Sequence, residues 1–393
     1  MSEYVDKVYN IPFDKKAVTL RHLDIELTER CNNNCVHCYI NKPVSHQCDE
    51  MSTDFIRELI QQAADKGCLS IRFTGGEPLL RPDFAELYTV ARQLGIRVIL
   101  FTNATLLHTD IITLFTDIPP LYPIEVTLYG MHQSSYEAVS RKPNTFRPAW
   151  EGIQALWKNN IPFVVKQAFL PPNYNERLEF EAWAETIPCM NQKPDYALNF
   201  DLRVRRDSET RNHEIRNVRM SPEHFVEIMA RNPKRYLNEM QQFMKKFSKP
   251  PGNKLFTCGA GCSAWTVDSF GNLQVCLMVR HPNLIVNLHE LPLDEAMQIL
   301  TRRKESLYSR NIEYRERCAQ CFLYDRCRQC PGTAWCEHGV MDQPVDYYCA
   351  LAHAEAQACG LLTAGEKAWE VRNRENRIRK LQTRERLVHE KSS

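Results

Sequence analysis

The sequence predicts an α/β fold, in which a parallel sheet of six strand–helix units is followed by a small cysteine-rich domain and a C-terminal helix. Two observations predict it. Strand-like segments alternate with amphipathic helices through the first two hundred residues, and most of the 16 cysteines fall into three groups. Strands separated by helices of this length favour parallel pairing through right-handed crossovers.

The predicted strands have alternating or short apolar patterns bounded by turn residues. They cover 22–27, 69–74, 96–101, 124–128, 163–169 and 197–204. The first helix is expected after the capping residue Ser52 and before the stop signal Gly67. Later helices are predicted at 83–94, 148–157 and 178–186. Ligands of such folds collect where the strands end.

Three cysteines lie just past the end of the first strand, in the pattern C-x3-C-x2-C at Cys31, Cys35 and Cys38. Three thiolates suit an iron–sulfur cubane, in which they would leave one of the four irons free for a ligand that is not protein. The alternative is a zinc site, which needs four closed ligands and would have to use His37 or His46. Ligand counting therefore favours the cluster.

A glycine-rich turn, Gly75-Gly76-Glu77-Pro78, directly follows the second strand. Two glycines permit close backbone approach to a ligand, the glutamate supplies a carboxylate, and the proline stiffens the exit of the turn. An ordinary turn before a helix is the alternative for this tetrapeptide alone.

The cysteine pattern and the Gly-Gly-Glu-Pro turn together resemble the radical S-adenosylmethionine superfamily. The resemblance implies a partial (β/α)6 TIM-like barrel, a [4Fe–4S] cluster on the three cysteines, and S-adenosylmethionine chelated by the open iron. Reductive cleavage of that cofactor would give a 5′-deoxyadenosyl radical, which abstracts a substrate hydrogen. The resemblance implies cofactor contacts from Tyr39 beside the adenine, from Gly75, Gly76 and Glu77 at the methionine amino group, and from Asn103 and Thr127 at the third and fourth strand ends.

The segment from 205 to 249 is rich in charge, with arginines that include Arg211, Arg216 and Arg219. A solvated connection is the simplest interpretation, with a bridging helix after Ser221. Contact between some of these arginines and an acidic peptide or substrate is the alternative.

A second array of cysteines follows this segment. Its members are Cys258, Cys262, Cys276, Cys318, Cys321, Cys327, Cys330, Cys336 and Cys349, and a hairpin is predicted at 267–273. Four paired cysteines could form a zinc ribbon, whereas eight well-placed ones describe two sites. In a reducing compartment such grouping indicates metal or redox chemistry before disulfides.

The order of this array resembles the SPASM extension of radical enzymes, which carries two auxiliary [4Fe–4S] clusters. The resemblance assigns Cys258, Cys262, Cys276 and Cys330 to an inner cluster and Cys318, Cys321, Cys327 and Cys349 to an outer one. The chain departs from the family in two ways. Cys327 and Cys330 enclose two residues instead of three, so Cys336 is the alternative to Cys330. Leu277 stands where sulfatase-maturing enzymes have an acidic residue, which disfavours that activity.

These patterns predict five regions. They are an N-terminal extension (1–18), the barrel (19–210), a helical bridge (211–254), the auxiliary-cluster domain (255–360) and a charged C-terminal helix or tail (361–393). We expect the C-terminal region, 361–393, to be exposed on the surface.

Composition limits the classes of function. A formal net charge of +2 gives no indication of nucleic acid binding, and no apolar run could span a membrane. The N-terminus lacks an apolar signal core, so a cytoplasmic location is expected.

The function predicted first is radical modification of a peptide or protein side chain by cross-linking, oxidation or epimerisation. It would use a flavodoxin- or ferredoxin-type electron donor, with or without a separate leader-binding protein. The alternatives are a radical enzyme acting on a small-molecule cofactor or natural-product precursor, and a zinc- or RNA-binding interaction protein. Neither the bond formed nor the residue that exchanges a proton with the substrate follows from the sequence.

Overall fold

Strands and helices alternate along the computed structural model, which describes residues 18–190, 194–198, 200–203 and 207–388. The strands are β1 (His22–Thr28), β2 (Arg30–Cys31), β3 (Lys42–Pro43), β4 (Ser70–Gly75), β5 (Arg97–Thr102), β6 (Ile124–Thr127), β7 (Phe163–Ala168), β8 (Asp195–Ala197), β9 (Ala264–Val267), β10 (Asn272–Gln274) and β11 (Ile285–Asn287). The helices are α1 (Thr53–Asp65), α2 (Phe84–Gln93), α3 (Thr109–Asp117), α4 (Gln133–Ser140), α5 (Phe146–Lys158), α6 (Arg177–Ala184), α7 (Glu209–Asn217), α8 (Pro222–Met229), α9 (Pro233–Lys246), α10 (Leu293–Glu305), α11 (Ile312–Glu316), α12 (Pro331–His338), α13 (Asp346–Ala358) and α14 (Arg374–Gln382). None of these described helices combines the length and apolar character that crossing a bilayer requires.

Nine strands form one sheet in the order β11-β10-β9-β1-β4-β5-β6-β7-β8. The seven strands from β9 to β8 in this order are parallel, and β10 and β11 add an antiparallel edge. Strand β1 is central to the arrangement because Leu23 is paired with both Ile71 of β4 and Trp265 of β9. The sequential parallel strands confirm the predicted α/β class, and the pairing of β9 with β1 joins the predicted barrel and the predicted cysteine-rich domain in one sheet.

The two faces of the sheet differ in chemistry. Apolar side chains on one face are fully buried in the main core, including Leu23, Ile25, Leu27, Ile71, Phe73, Val98 and Leu100. The opposite face carries charged groups such as Asp24, which accepts a hydrogen bond from Arg72 at 2.7 Å. Side chains alternate between faces along a strand, so one face packs under the helices and the other presents polar groups.

The first helix forms as its sequence predicts. Ser52 caps α1 by accepting a hydrogen bond from the backbone N–H of Phe55. The chain leaves the helix through Gly67, whose φ of +77° is easily adopted by glycine. The remaining predicted helices of this region agree with the structure to within two residues at each end. The first five predicted strands, which correspond to β1, β4, β5, β6 and β7, agree equally well.

The sixth strand is shorter and earlier than predicted. The prediction was 197–204, whereas β8 spans Asp195–Ala197 and pairs with Lys166, Gln167 and Ala168 of β7. The apolar residues that follow, Leu198, Phe200 and Leu202, are buried against two smaller hydrophobic clusters instead of extending the ladder. The alternation therefore reflects packing of an irregular segment, and Val204 lies outside the described residues.

The arginine-rich connection is less solvated than predicted. Arg211 is 9 % exposed, and Arg219 donates a hydrogen bond to the Phe200 carbonyl and pairs with Glu337. Arg216 keeps the expected exposure, with 39 % of its side chain accessible. The bridging helix is confirmed as α8, capped by Ser221.

The C-terminal helix is docked, which corrects the expectation of a surface tail. Leu381 and Leu387 are buried in a cluster with residues of α9. The Gln241 side chain donates hydrogen bonds to the Leu381 carbonyl at 2.9 Å and the Arg384 carbonyl at 3.0 Å. The charged residues of the C-terminal helix cover its outer side, while a few apolar residues pack against the rest of the protein.

Candidate active site and auxiliary cysteine groups

The first three cysteines converge on the loop that leaves β1. Cys35 is buried, whereas Cys31 and Cys38 are partly accessible. Burial, followed by the charges of Cys35, Glu77 and Cys38, raises the pKa of the Cys31 thiol, and burial raises that of Cys35 to about 12. Without a cation the Cys31 and Cys35 thiols keep their protons, because burial disfavours the thiolate form and neighbouring thiolates repel each other. Bound iron would supply the positive charge that this donor set needs.

The Gly-Gly-Glu turn packs against the same loop through its backbone. A Cβ at Gly76 would lie 2.1 Å from the Arg30 carbonyl oxygen, and one at Gly75 would lie 2.2 Å from that of Thr28. Gly75 also has a φ of +123°. Only glycine fits these two positions, so the turn is held directly beside the cysteine loop.

Glu77 is fully buried at the end of this turn. Its carboxylate accepts hydrogen bonds from the Thr102 hydroxyl and the Asn103 N–H, both at 2.8 Å, and from the Leu79 N–H at 3.2 Å. Burial raises the pKa of Glu77 to about 7 in spite of these donors. A bound ammonium group would favour the ionised carboxylate, so the site suits a cationic ligand.

Asn103 directly follows β5 and connects the end of that strand to the cysteine loop. Its side-chain N–H group donates to Asn32 Oδ1 at 2.9 Å and lies 3.8 Å from Cys31 Sγ. Thr127 ends β6 in register with Lys166, and Lys166 forms an ion pair with Glu125. The structure thus brings Asn103 to the cysteines and puts Thr127 at the neighbouring strand end.

Tyr39 lies on the side of the cysteine loop that faces the polar face of the sheet. Burial, and then the charge of Glu26, raises the pKa of its hydroxyl, with Arg280, Cys38 and Asp201 also within electrostatic range. Its side chain is nevertheless partly accessible.

Asp201, which was missed by sequence reasoning, lies close to Tyr39. It is partly accessible, accepts a hydrogen bond from the Tyr348 hydroxyl at 3.0 Å, and lies within electrostatic range of both Tyr39 and Cys330. Asp201 follows β8 and carries no motif, so only the tertiary structure puts it between the first cysteine group and the second. The buried ion pair between Arg280 and Glu26 was missed for the same reason.

Four cysteines of the predicted outer group line one small pocket. They are Cys318, Cys321, Cys327 and Cys349. Burial raises the pKa of Cys318 and of Cys321 to about 12, with the Cys349 charge as a further cause in both. Trp369 and His353 complete the lining, so the C-terminal segment helps to close this pocket.

The predicted inner group is more open. Burial raises the pKa of Cys276 to about 11, with Cys330 and Cys258 among the neighbouring charges. Lys304 Nζ lies 3.4 Å from Cys262 Sγ. Cys336, the alternative to Cys330, is 1 % exposed and packs in a separate apolar cluster. This geometry favours Cys330 over Cys336 for the inner group.

Across the described ranges, no three His, Cys, Asp or Glu side chains are grouped closely enough in this structure to hold one metal ion.

A comparison with known protein families finds a match in the first half of the chain. Residues 25–184 match the Radical SAM superfamily. The AdoMet-dependent heme synthase of Methanosarcina barkeri is 32% identical over 151 residues, which cover 38% of this chain and 43% of that protein. The chain thus spans less than half the length of this relative. The match to the superfamily weighs against a zinc- or RNA-binding interaction protein.

Two other relatives differ in the substrate their names give. A probable GTP 3',8-cyclase of Methanosarcina mazei is 28% identical over 294 residues, which cover 72% of this chain and 84% of that protein. The PqqA peptide cyclase of Gluconobacter oxydans is 39% identical over 82 residues, which cover 21% of this chain and 23% of that protein.

Two solved structures share the fold over most of the chain. Streptococcus suis SuiB bound to precursor peptide SuiA has a TM-score of 0.61 at 15% identity, covering 88% of this chain and 78% of that one. The structure of anSMEcpe with bound AdoMet has a TM-score of 0.60 at 13% identity, covering 86% and 96%. The chain therefore shares the fold of these two structures.

Proposed function

We propose that this chain, which carries a radical SAM domain at residues 25–184, is an enzyme that modifies a peptide or protein side chain. The observation that carries the proposal is that Tyr39, beside the first cysteine group, lies within electrostatic range of Asp201, which in turn lies within electrostatic range of Cys330. A substrate bound beside these two residues would lie between the first cysteine group and the inner auxiliary group. Electrons could then pass between the substrate and the auxiliary group.

The residues have separate proposed roles at this site. Cys31, Cys35 and Cys38 would hold a [4Fe–4S] cluster, which with S-adenosylmethionine supplies the hydrogen-abstracting 5′-deoxyadenosyl radical when bound. Glu77 would bind the cofactor's amino group, because its buried carboxylate gains most from a cation. Asn103 would orient the cysteine loop, and Tyr39 would face the adenine.

Two further clusters would occupy the auxiliary groups, giving three per chain. The inner one would use Cys258, Cys262, Cys276 and Cys330, and the outer one Cys318, Cys321, Cys327 and Cys349. A flavodoxin- or ferredoxin-type protein would supply the electrons, and a leader-binding protein could present the peptide. Cytoplasmic location belongs to this proposal, since free thiols and iron–sulfur clusters persist in reducing compartments.

A peptide substrate has two supports. A relative is named for cyclising a peptide, and a protein of the same fold is known with its precursor peptide bound. The second candidate is a small-molecule substrate, favoured by the GTP 3',8-cyclase relatives, which match over 72% of the chain.

Anaerobic reconstitution followed by turnover tests the proposal. We expect iron near twelve per chain, since three cubanes hold four each, together with reductive cleavage of S-adenosylmethionine. A short peptide encoded beside the gene should lose two hydrogens, or change chirality at constant mass, in step with 5′-deoxyadenosine formation. Consumption of GTP with no change in the peptide would favour the second candidate. Zinc binding without cofactor cleavage would refute both.

A further inference from the structure

Two buried arginines reach back to the loop that carries the first cysteine group. Arg211 of α7 donates hydrogen bonds to the Cys35 carbonyl, to Asn34 Oδ1 at 3.1 Å and to Asn41 Oδ1 at 3.3 Å. Arg203 donates to the Asn41 carbonyl at 3.3 Å. Their exposures are 9 % and 6 %. Both arginines follow β8 in the sequence, so a distant part of the chain holds the backbone of the cysteine loop in place.

Arg211 forms a group of three charged side chains with Arg141 and Glu214, so two cations face one carboxylate. Glu214 pairs with Arg211 at 3.0 Å and also with Arg141 at 2.7 Å. Two guanidinium groups therefore share one carboxylate. Arg141 is one-third exposed and is screened by water, whereas Arg211 is held against the loop. The positive charge that remains is directed at the cysteine loop.

Arg203 forms a second group of the same kind. It pairs with Asp207 through two hydrogen bonds of 2.8 and 2.9 Å, and Asp207 also pairs with Lys42 on the far side of the loop. In the described part of the chain, each group holds two cations and one carboxylate. The loop between Cys31 and Lys42 is thus flanked by two net positive groups.

We propose that Arg211 is a positioning residue for the cluster at Cys31, Cys35 and Cys38, and that its charge raises the reduction potential of that cluster. This inference rests on the proposed function, because it presumes a cluster at these cysteines. Reduction adds an electron to a site that already carries three thiolates. A nearby buried cation stabilises the reduced state more than the oxidised one, since the interior screens charge weakly.

The first experiment replaces Arg211 in the reconstituted full-length protein. A redox titration followed by electron paramagnetic resonance would give the midpoint potential of the cluster whose signal changes when S-adenosylmethionine is added. We expect a more negative potential in Arg211→Gln, and a potential closer to wild type in Arg211→Lys, which keeps the charge. Arg216→Gln is the matched control, because it removes an exposed arginine from the same helix.

A second variant keeps the inference falsifiable if Arg211→Gln loads iron poorly. Glu214→Gln removes the shared carboxylate and leaves both guanidinium groups, so we expect a shift to a more positive potential. A change in one direction for Arg211→Gln and in the other for Glu214→Gln is a signature that a purely structural role would not give.

The outcomes separate this inference from the proposed function. If the wild type forms an S-adenosylmethionine-sensitive cluster but Glu214→Gln leaves its potential unchanged, the charge effect is refuted and the proposed function stands. If the wild type forms no such cluster, the proposed function fails, and the inference fails with it. Opposite shifts in the two variants would establish the inference.

Discussion

At the scale of single residues, Asn103 joins three features that are separate in the sequence. Its backbone N–H donates to Glu77, and its side chain donates to Asn32 beside Cys31. The cysteine loop, the glycine turn and the end of β5 are therefore one hydrogen-bonded unit. A change at any of the three should be felt at the other two, because buried hydrogen bonds are costly to leave unmade.

Cys35→Ala tests the role of the first cysteine group. We expect loss of 5′-deoxyadenosine formation and of roughly four irons per chain, because a cubane with two protein ligands is not held firmly. Cys48→Ala removes a cysteine outside all three groups and should leave both quantities unchanged. Normal deoxyadenosine yield in Cys35→Ala would contradict the assignment.

Glu77 gives a pH dependence whose sign can be stated. Because its pKa is raised from 4.5 to about 7 by burial, the folded protein holds this proton more tightly than the unfolded chain does. Stability from this group is fully present below pH 4.5 and is lost as pH rises to about 7, by roughly 3 kcal/mol at most.

The corresponding experiment compares Glu77→Gln with the wild type. Urea unfolding of the iron-free, reduced protein at pH 5 and pH 8 should show a larger fall in the free energy of unfolding for the wild type. The glutamine variant cannot ionise at this position, so its fall should be smaller. An identical pH dependence in both proteins would mean that Glu77 ionises freely.

At the scale of elements, the C-terminal helix is stabilised by packing and not by its own sequence. Helix α14 is strongly charged, yet Leu381 is fully buried against Tyr236, Leu237, Met240 and Met244 of α9. Short helices are marginal alone and gain most of their stability from such contacts. The helix therefore depends on α9, and α9 is partly covered by it.

Leu381→Ala measures this dependence. We expect a loss of about 2–5 kcal/mol in the free energy of unfolding, since a buried leucine is replaced by a cavity. Lys380→Ala, an exposed neighbour on the same helix, should change stability by less than about 0.5 kcal/mol. Equal effects in the two variants, measured by denaturant unfolding, would show that the helix is not docked in solution.

At the scale of the whole molecule, one sheet connects residues 25–184, which match the Radical SAM superfamily, with the cysteine-rich region. Strand β9 pairs in parallel with β1, so the hairpin that precedes Cys276 continues the sheet whose strand β1 leads into the first cysteine group. The inner group is thereby fixed relative to the first. The outer group lines a separate small pocket.

Cys321→Ala tests this division. We expect 5′-deoxyadenosine formation to continue, uncoupled from product, because the first cysteine group is left intact while the outer one is broken. The measurement is the ratio of modified peptide to deoxyadenosine, with Cys359→Ala as a control that removes a buried cysteine outside the proposed groups. Loss of deoxyadenosine to the same extent as in Cys35→Ala would mean that the outer group is needed for folding of the whole chain.

The sequence by itself determined the features that depend on local pattern. Periodicity located the first five strands, Ser52 and Gly67 marked the ends of α1, and cysteine spacing identified the groups to be compared with known families. Each of these rests on interactions between residues close in sequence, such as caps, turns and alternating faces. The parallel sheet followed because alternating strands and helices leave few topologies.

Only the tertiary structure decided which polar residues are buried. Arg211 and Arg216 lie on one helix and look alike in sequence, yet the first contacts the cysteine loop and the second faces solvent. The sixth strand, the docking of α14 and the position of Asp201 were likewise set by segments far away in the chain. Burial depends on which distant segment of the chain packs against a residue, and a local sequence pattern does not identify that segment.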